Sequence, residues 1–259
     1  MALCLCDSLI ENNKFQVCSA ASKYLEWYSA EGFDTGPTAS VVFDDLIRAK
    51  SSIPYDKDWL SEEMICRASE SAHHRLHERT AGCNAAHRCP PIAMLHTIPD
   101  KELVACATAD ATITHQHRLA GEAAAATVLL CRLLIRGISW DLAVAQTRSA
   151  KTWSPEIDTV LSPAASRLEL LSRGGFAPEA LRAAIYFAGA GASFEAALTG
   201  ALGFAGPDNY CPVLVGALAG ARWGAAAVPP DMLEHRMARG VRERVASAAA
   251  RLAAGWGAE

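Results

Sequence analysis

Three stretches of the chain carry residue types that could do chemistry. Near the C-terminal end, Gly206-Pro207-Asp208-Asn209-Tyr210 makes a polar turn ahead of a run of very small residues. Gly216, Gly220 and Gly224 recur every four positions, so they share one face of the predicted helix. Each glycine costs a helix interior about 1 kcal/mol relative to alanine. Close approach of another backbone is the compensation expected here. The turn would sit at the helix N-terminus, where free amides and the dipole favour anions or oxygen-rich ligands. Asp208 offers a charged oxygen and Asn209 a neutral one. Both residues also read as helix caps, with Pro212 tolerated in the first turn.

The second stretch is Gly82-Cys83-Asn84-Ala85-Ala86-His87-Arg88-Cys89-Pro90-Pro91-Ile92. Gly82 permits close approach of the backbone to a ligand, and the Asn84 amide both donates and accepts. The third is Thr112-Ile113-Thr114-His115-Gln116-His117. His117, two residues beyond His115, points differently on a helix and reads as a cap or a surface contact. His73 and His77 stand one helical turn apart, with His74 beside them. Without a third ligand this spacing makes no zinc site, and a solvated helix face is expected.

The elements that must position these residues are predicted to be helices throughout. No clean alternation with a period of two is present, and alanine dominates the second half. Helices are expected over 2–10, 17–30, 39–50 and 61–71, the last capped by Ser61 with Glu62 and Glu63 in its first turn. Residues 32–38 read as a turn, and 82–91 as an irregular polar segment. Asp100 is expected to cap a helix through Ala109. The longest apolar helix runs from His117 to Ile135 and stops at Gly137. Further helices are expected over 139–149, 178–188, 193–202, 212–224 and 230–254, with 153–163 as a polar connector. No internal repeat of fixed period is present.

With 259 residues, 51% of them hydrophobic, the chain can bury the core of one large domain or two tightly packed halves. A net charge of −4 gives no basic footprint for nucleic acid. No apolar run reaches the roughly 18 residues of a membrane span, and no signal-peptide pattern opens the chain. The nine cysteines show no C-x-x-C pairing and read as buried, reduced thiols. A cytoplasmic protein with no membrane and no nucleic-acid partner is therefore expected.

Several of these blocks, in order, resemble the ADP-ribosylglycohydrolase family. Asp7-Ser8-Leu9-Ile10-Glu11 looks like the helix after the family's first metal motif. Trp27 with Gly32-Phe33-Asp34-Thr35-Gly36 is similar to its Trp and Phe-Asp-x-Gly turn. Gly82–Ile92 is similar to its Gly-Asn-Gly-x-x-Met-Arg-x-x-Pro loop, and Thr112–His117 to its Thr-His-x-His turn. The small-residue helix through Gly224, with Val228-Pro229, closes the series. The resemblance implies an all-α, compact multi-helix bundle and removal of ADP-ribose from protein or small-molecule acceptors. It also implies two Mg²⁺ or Mn²⁺ ions that orient ribose hydroxyls and activate water at the anomeric carbon. It places Gly82, Cys83, Asn84 and His87 beside the diphosphate and ribose, and His115 beside the bound ADP-ribose. ADP-ribose or an ADP-ribosylated substrate is the implied partner.

The chain departs from the family at both metal motifs. Met1 aligns just past the Thr-Asp-Asp-Thr run, so residues 1–259 read as one domain lacking the family's N-terminal helix and first metal motif, or as a truncated gene product. The lost helix is expected to leave apolar side chains of 3–10, or of their neighbours, exposed. The second motif, Asp-Thr-Asp-Thr in the family, falls on Pro207-Asp208-Asn209-Tyr210 or, shifted by one residue, puts Asp208 on its first carboxylate and Tyr210 on its second; neither register keeps two carboxylates. Asp208 and Asn209 are the implied metal ligands that remain. An impaired hydrolase is expected, with an inactive relative that binds ADP-ribose or a nucleotide as the alternative.

Overall fold

The computed structural model of the protein describes residues 1–51, 59–163, 167–206, 210–235 and 238–256. The described chain forms α1 (Ala2–Asn12), α2 (Val17–Glu31), α3 (Gly36–Ser51), α4 (Glu62–Arg75), α5 (Asn84–Arg88), α6 (Pro90–Met94), α7 (Asp100–Thr112) and α8 (Arg118–Ile135). It continues as α9 (Trp140–Ser149), α10 (Pro155–Val160), α11 (Ala177–Ala190), α12 (Phe194–Ala205), α13 (Tyr210–Trp223), α14 (Pro230–His235) and α15 (Arg239–Ala253). Among the described residues there is no strand; one isolated antiparallel bridge joins Gly82 to Phe176. The all-α expectation is met.

α8 is the axis of the bundle. Its run of Ala, Leu and Val is apolar on all sides, and α5, α6, α7, α9, α10, α11 and α13 pack around it. A helix apolar all round belongs in a core. Its two buried charged groups find partners in loops, although Arg132 Nε makes no hydrogen bond among the described residues. Glu122 accepts from Ser154 N at 3.0 Å and Lys151 Nζ at 3.1 Å. Arg132 Nη2 donates to the carbonyls of Leu95 and Ile98 at 2.9 and 3.0 Å. Gly137 follows the helix with φ +78°, a conformation glycine adopts without strain.

The differences from the sequence expectation have local causes. The 82–91 segment is not irregular: α5 and α6 form there, because docking against α8 supplies stability that such short helices lack alone. Likewise α10 occupies part of the predicted connector, burying Ile157 and Val160. Asp100 does not cap α7; it is the first helical residue, and its carboxylate pairs with Arg136. The predicted 230–254 helix is two helices, α14 and α15. Ser61 does cap α4, accepting from Met64 N at 3.2 Å, and His117 caps α8, its ring accepting from Leu119 N at 3.2 Å.

Within 3–10, Leu3 and Ile10 are half-buried and the other apolar side chains are covered. Cys4, Leu5, Cys6 and Leu9 are buried, because α15 lies along α1 and Arg244 pairs with Asp7 at 2.5 Å. The glycine face of α13 is a second correction. A Cβ at Gly216 or Gly220 would meet no described atom within 4 Å, so no described backbone presses on that face. Packing instead uses Cys211, Leu214, Val215, Leu218 and Ala219. Gly224 ends the helix with φ +79°. All nine cysteines are free, six of them buried.

Candidate functional site

Five connections between helices meet around a cavity of about 260 Å³. The α2–α3 turn brings Asp34, with Gly36, Pro37 and Thr38 at the start of α3. The α4–α5 loop brings Arg79 and Gly82, and α5 brings Asn84 and His87. His115 comes from the α7–α8 turn, Gly175 from the loop before α11, and Tyr210 from the first residue of α13. A second cavity of about 450 Å³ adjoins it, sharing Arg79, Gly82 and Gly175 and adding Glu78, His117 and the exposed Phe176.

The loops are fixed to one another through backbone. Cys83 N donates to Gly175 O at 3.0 Å, and Ala177 N to Ala81 O at 2.8 Å. Asn84 Nδ2 donates to Thr35 O at 2.9 Å, which ties α5 to the Asp34 turn. Asp34 and Gly36 both have positive φ, 48° and 74°. At Gly36 a Cβ would stand 2.8 Å from the Asn84 amide, so only glycine admits that bond. Gly82 similarly leaves room for His115, whose Nε2 would be 3.2 Å from an added Cβ.

The two histidines differ in their bonding. His87 Nε2 lies 2.7 Å from the Tyr210 carbonyl, which only accepts, so Nε2 donates. Burial lowers its pKa to about 4. His115 is 2% exposed, and burial, then the Arg88 cation and His87, lower its pKa to about 3. Both rings are neutral near pH 7. Behind His115, Arg88 pairs with Asp110 at 2.9 Å, both groups buried, and the Tyr24 hydroxyl donates to the same carboxylate at 2.6 Å.

The ADP-ribosylglycohydrolase family profile matches residues 1–259. The chain belongs to the ADP-ribosylglycohydrolase family. A solved structure described as an ADP-ribosylglycohydrolase-related protein complex shares the fold. Its TM-score is 0.72 at 24% identity, over 97% of this chain and 78% of the other. No curated protein matches the chain.

Of the residues singled out in the sequence, Gly82, Asn84, His87 and His115 line the same cavity. Cys83 does not: its side chain is fully buried, burial pushes its thiol up to about 12, and its backbone N–H is what serves the loop. Asp208 and Asn209 lie outside the described residues. His73 faces Thr80, Nδ1 to Oγ1 at 2.6 Å, and is not a free member of a solvated face. Sequence reading did not propose Arg79, Gly175, Thr38 or Tyr210 as site residues, nor Asp34 outside its turn motif. Arg79 follows His77 and Glu78, both at positive φ, a turn that no glycine announces. Gly174-Gly175 before a helix was the one available signal, a turn whose partner only the fold reveals.

Family members generally use divalent metals. Among the described residues, no three His, Cys, Asp or Glu side chains gather as ligands of one ion would. Among the described residues the cavity presents a single carboxylate, Asp34, and His87 is already engaged by Tyr210. Hard divalent ions draw on several oxygen ligands, carboxylates foremost. The described donor set does not fit a two-metal centre.

Proposed function

We propose that the cleft binds the ADP-ribose portion of ADP-ribosylated molecules, with hydrolysis weak in this chain. The convergence of Gly82, Asn84, His87 and His115 from separate segments onto one polar cavity carries the reading. Three further features support it. The cavity is rimmed by the first residues of α3 and α13, where helix amides favour phosphate oxygens. Arg79 supplies a cation at the rim, suited to a diphosphate. Phe176, exposed beside the adjoining cavity, offers a flat face for an aromatic base. Ligand sites commonly run to about 300–1,000 Å³, more than the first cavity alone provides.

Weak turnover follows from the donor set. Tight binding of the sugar and phosphates accelerates nothing unless the transition state is held more strongly than the ground state. The family gains that difference from paired ions at the anomeric carbon. The turn at Asp208 and Asn209 keeps one carboxylate where the family has two. ADP-ribose titration by calorimetry is expected to show binding that Asn84→Ala and His115→Ala each weaken. Absence of binding by the unsubstituted chain would refute the cleft assignment. Vigorous Mn²⁺-dependent release of ADP-ribose, lost in Asp208→Ala, would refute the weak turnover.

A further inference from the structure

We propose that Arg88 and Thr114 are positioning residues that lock His115 in a single neutral tautomer with its proton on Nε2. The histidine then meets a ligand as a hydrogen-bond donor and not as a base. A guanidinium only donates. Arg88 Nη1 donates to Thr114 Oγ1 at 2.8 Å, so that oxygen accepts there. Thr114 is fully buried, and its hydroxyl hydrogen needs an acceptor. His115 Nδ1, at 2.7 Å, is the other partner of Oγ1. Nδ1 therefore presents its lone pair, and the proton of the neutral ring resides on Nε2.

The lock is braced from behind. Arg88 Nε donates to Asp110 Oδ2 at 2.9 Å, and Nη2 donates to the Asp110 carbonyl. Tyr24 donates to Oδ1 of the same carboxylate at 2.6 Å, and its ring lies under the guanidinium, 4.9 Å from centroid to Cζ. Arg88 cannot turn away without stripping the buried Asp110 carboxylate of its counter-charge. Burial and the Arg88 charge also keep the imidazole from taking a second proton.

Nε2 has no hydrogen-bond partner among the described residues, although His115 is 2% exposed and lines the cavity beside Gly82. A donor that opens on a cavity can exchange water for a ligand acceptor. The atom it takes is an oxygen with a free lone pair, as on a phosphate, and proton abstraction at Nε2 is excluded. The proposal rests on the cleft reading only for the ligand's identity.

The test is two-bond ¹⁵N–¹H correlation NMR of the free protein, with the His115 signals assigned by their loss in His115→Asn. Expected is a protonated Nε2 and a bare Nδ1. A protonated Nδ1 overturns the lock. Thr114→Val should give mixed tautomers and weaken ADP-ribose binding about twofold, because only the fraction carrying the Nε2 proton is competent; Thr114→Ser should restore both. A pure Nε2–H form persisting in Thr114→Val overturns the role of Thr114. If the free protein shows Nε2–H yet binds no ADP-ribose, the lock stands and the cleft reading falls.

Discussion

Beneath the cleft, Arg88, Asp110, Tyr24, Thr114 and His115 form one connected set of buried polar groups. At the rim, Asp34 and Arg79 stand in solvent and Tyr210 is half-buried. Each floor group is held by another floor group. The rim groups are carried by backbone: positive φ at Asp34 and Gly36, a glycine at 175 that the Tyr210 ring packs against, and the loop pairing around Gly82. A buried polar set tolerates no missing member, since a stranded charge or donor retains its full desolvation cost. An exposed rim tolerates change at little cost in stability. The floor should therefore couple folding to function, and the rim should affect function alone.

The largest test of that division is Arg88→Ala. It strands the Asp110 carboxylate in the core and should lower unfolding free energy by about 3–5 kcal/mol, read by urea denaturation. A loss below about 1 kcal/mol would mean that the floor is not a cooperative unit.

Acid should act on the same region. Folded His115 and His87 have pKa values lowered to about 3 and about 4, against about 6.5 in an unfolded chain. As pH falls below 6.5 the unfolded state takes up protons first. Stability that is complete above that pH is then lost on the way down to the folded values. Each histidine contributes up to about 1.4 kcal/mol per pH unit, so about 2–3 kcal/mol should be gone by pH 5.5 relative to pH 8. A flat profile over that range would show the rings to be solvated.

Gly216→Ala and Gly220→Ala sharpen the comparison on α13, which carries Tyr210 to the rim. Since an added Cβ meets no described atom, each should stabilise by roughly 0.5–1 kcal/mol through the helix propensity gained. Destabilisation of either variant would reinstate close backbone packing on that face.

Arg79→Ala should have the smallest effect on folding, within about 0.5 kcal/mol. It should nonetheless reduce ADP-ribose affinity about tenfold, on the scale of one charge-assisted contact. Equal affinity in the variant would remove Arg79 from the site.

Much of the helical framework is legible in the sequence because it is written in local terms. Ser61 and His117 announce helix starts through their side chains, Gly137 announces a stop, and the Ala- and Leu-rich run before it announces a core helix. The short α5 and α6 are not legible, since their stability lies in docking against α8 and not in their own residues. Of the site, Gly82, Asn84, His87 and His115 are visible as residue types in recognisable blocks, and the fold gathers them in one cavity. Cys83 is indistinguishable from them in a linear reading. Its burial depends on which way the loop turns when Gly175 accepts its amide.

By itself the sequence determined the helix class, the main core helix and the family. Periodicity, caps and motif blocks are properties of neighbours along the chain. Only the tertiary structure decided the rest: that α15 covers α1, that Gly216 and Gly220 of α13 face no described backbone, and that Arg79, Gly175 and Tyr210 join the cavity. It alone also placed Arg88 behind His115. Those outcomes depend on contacts between segments tens of residues apart, and the proton on Nε2 is fixed by a chain of such contacts that no single stretch of sequence contains.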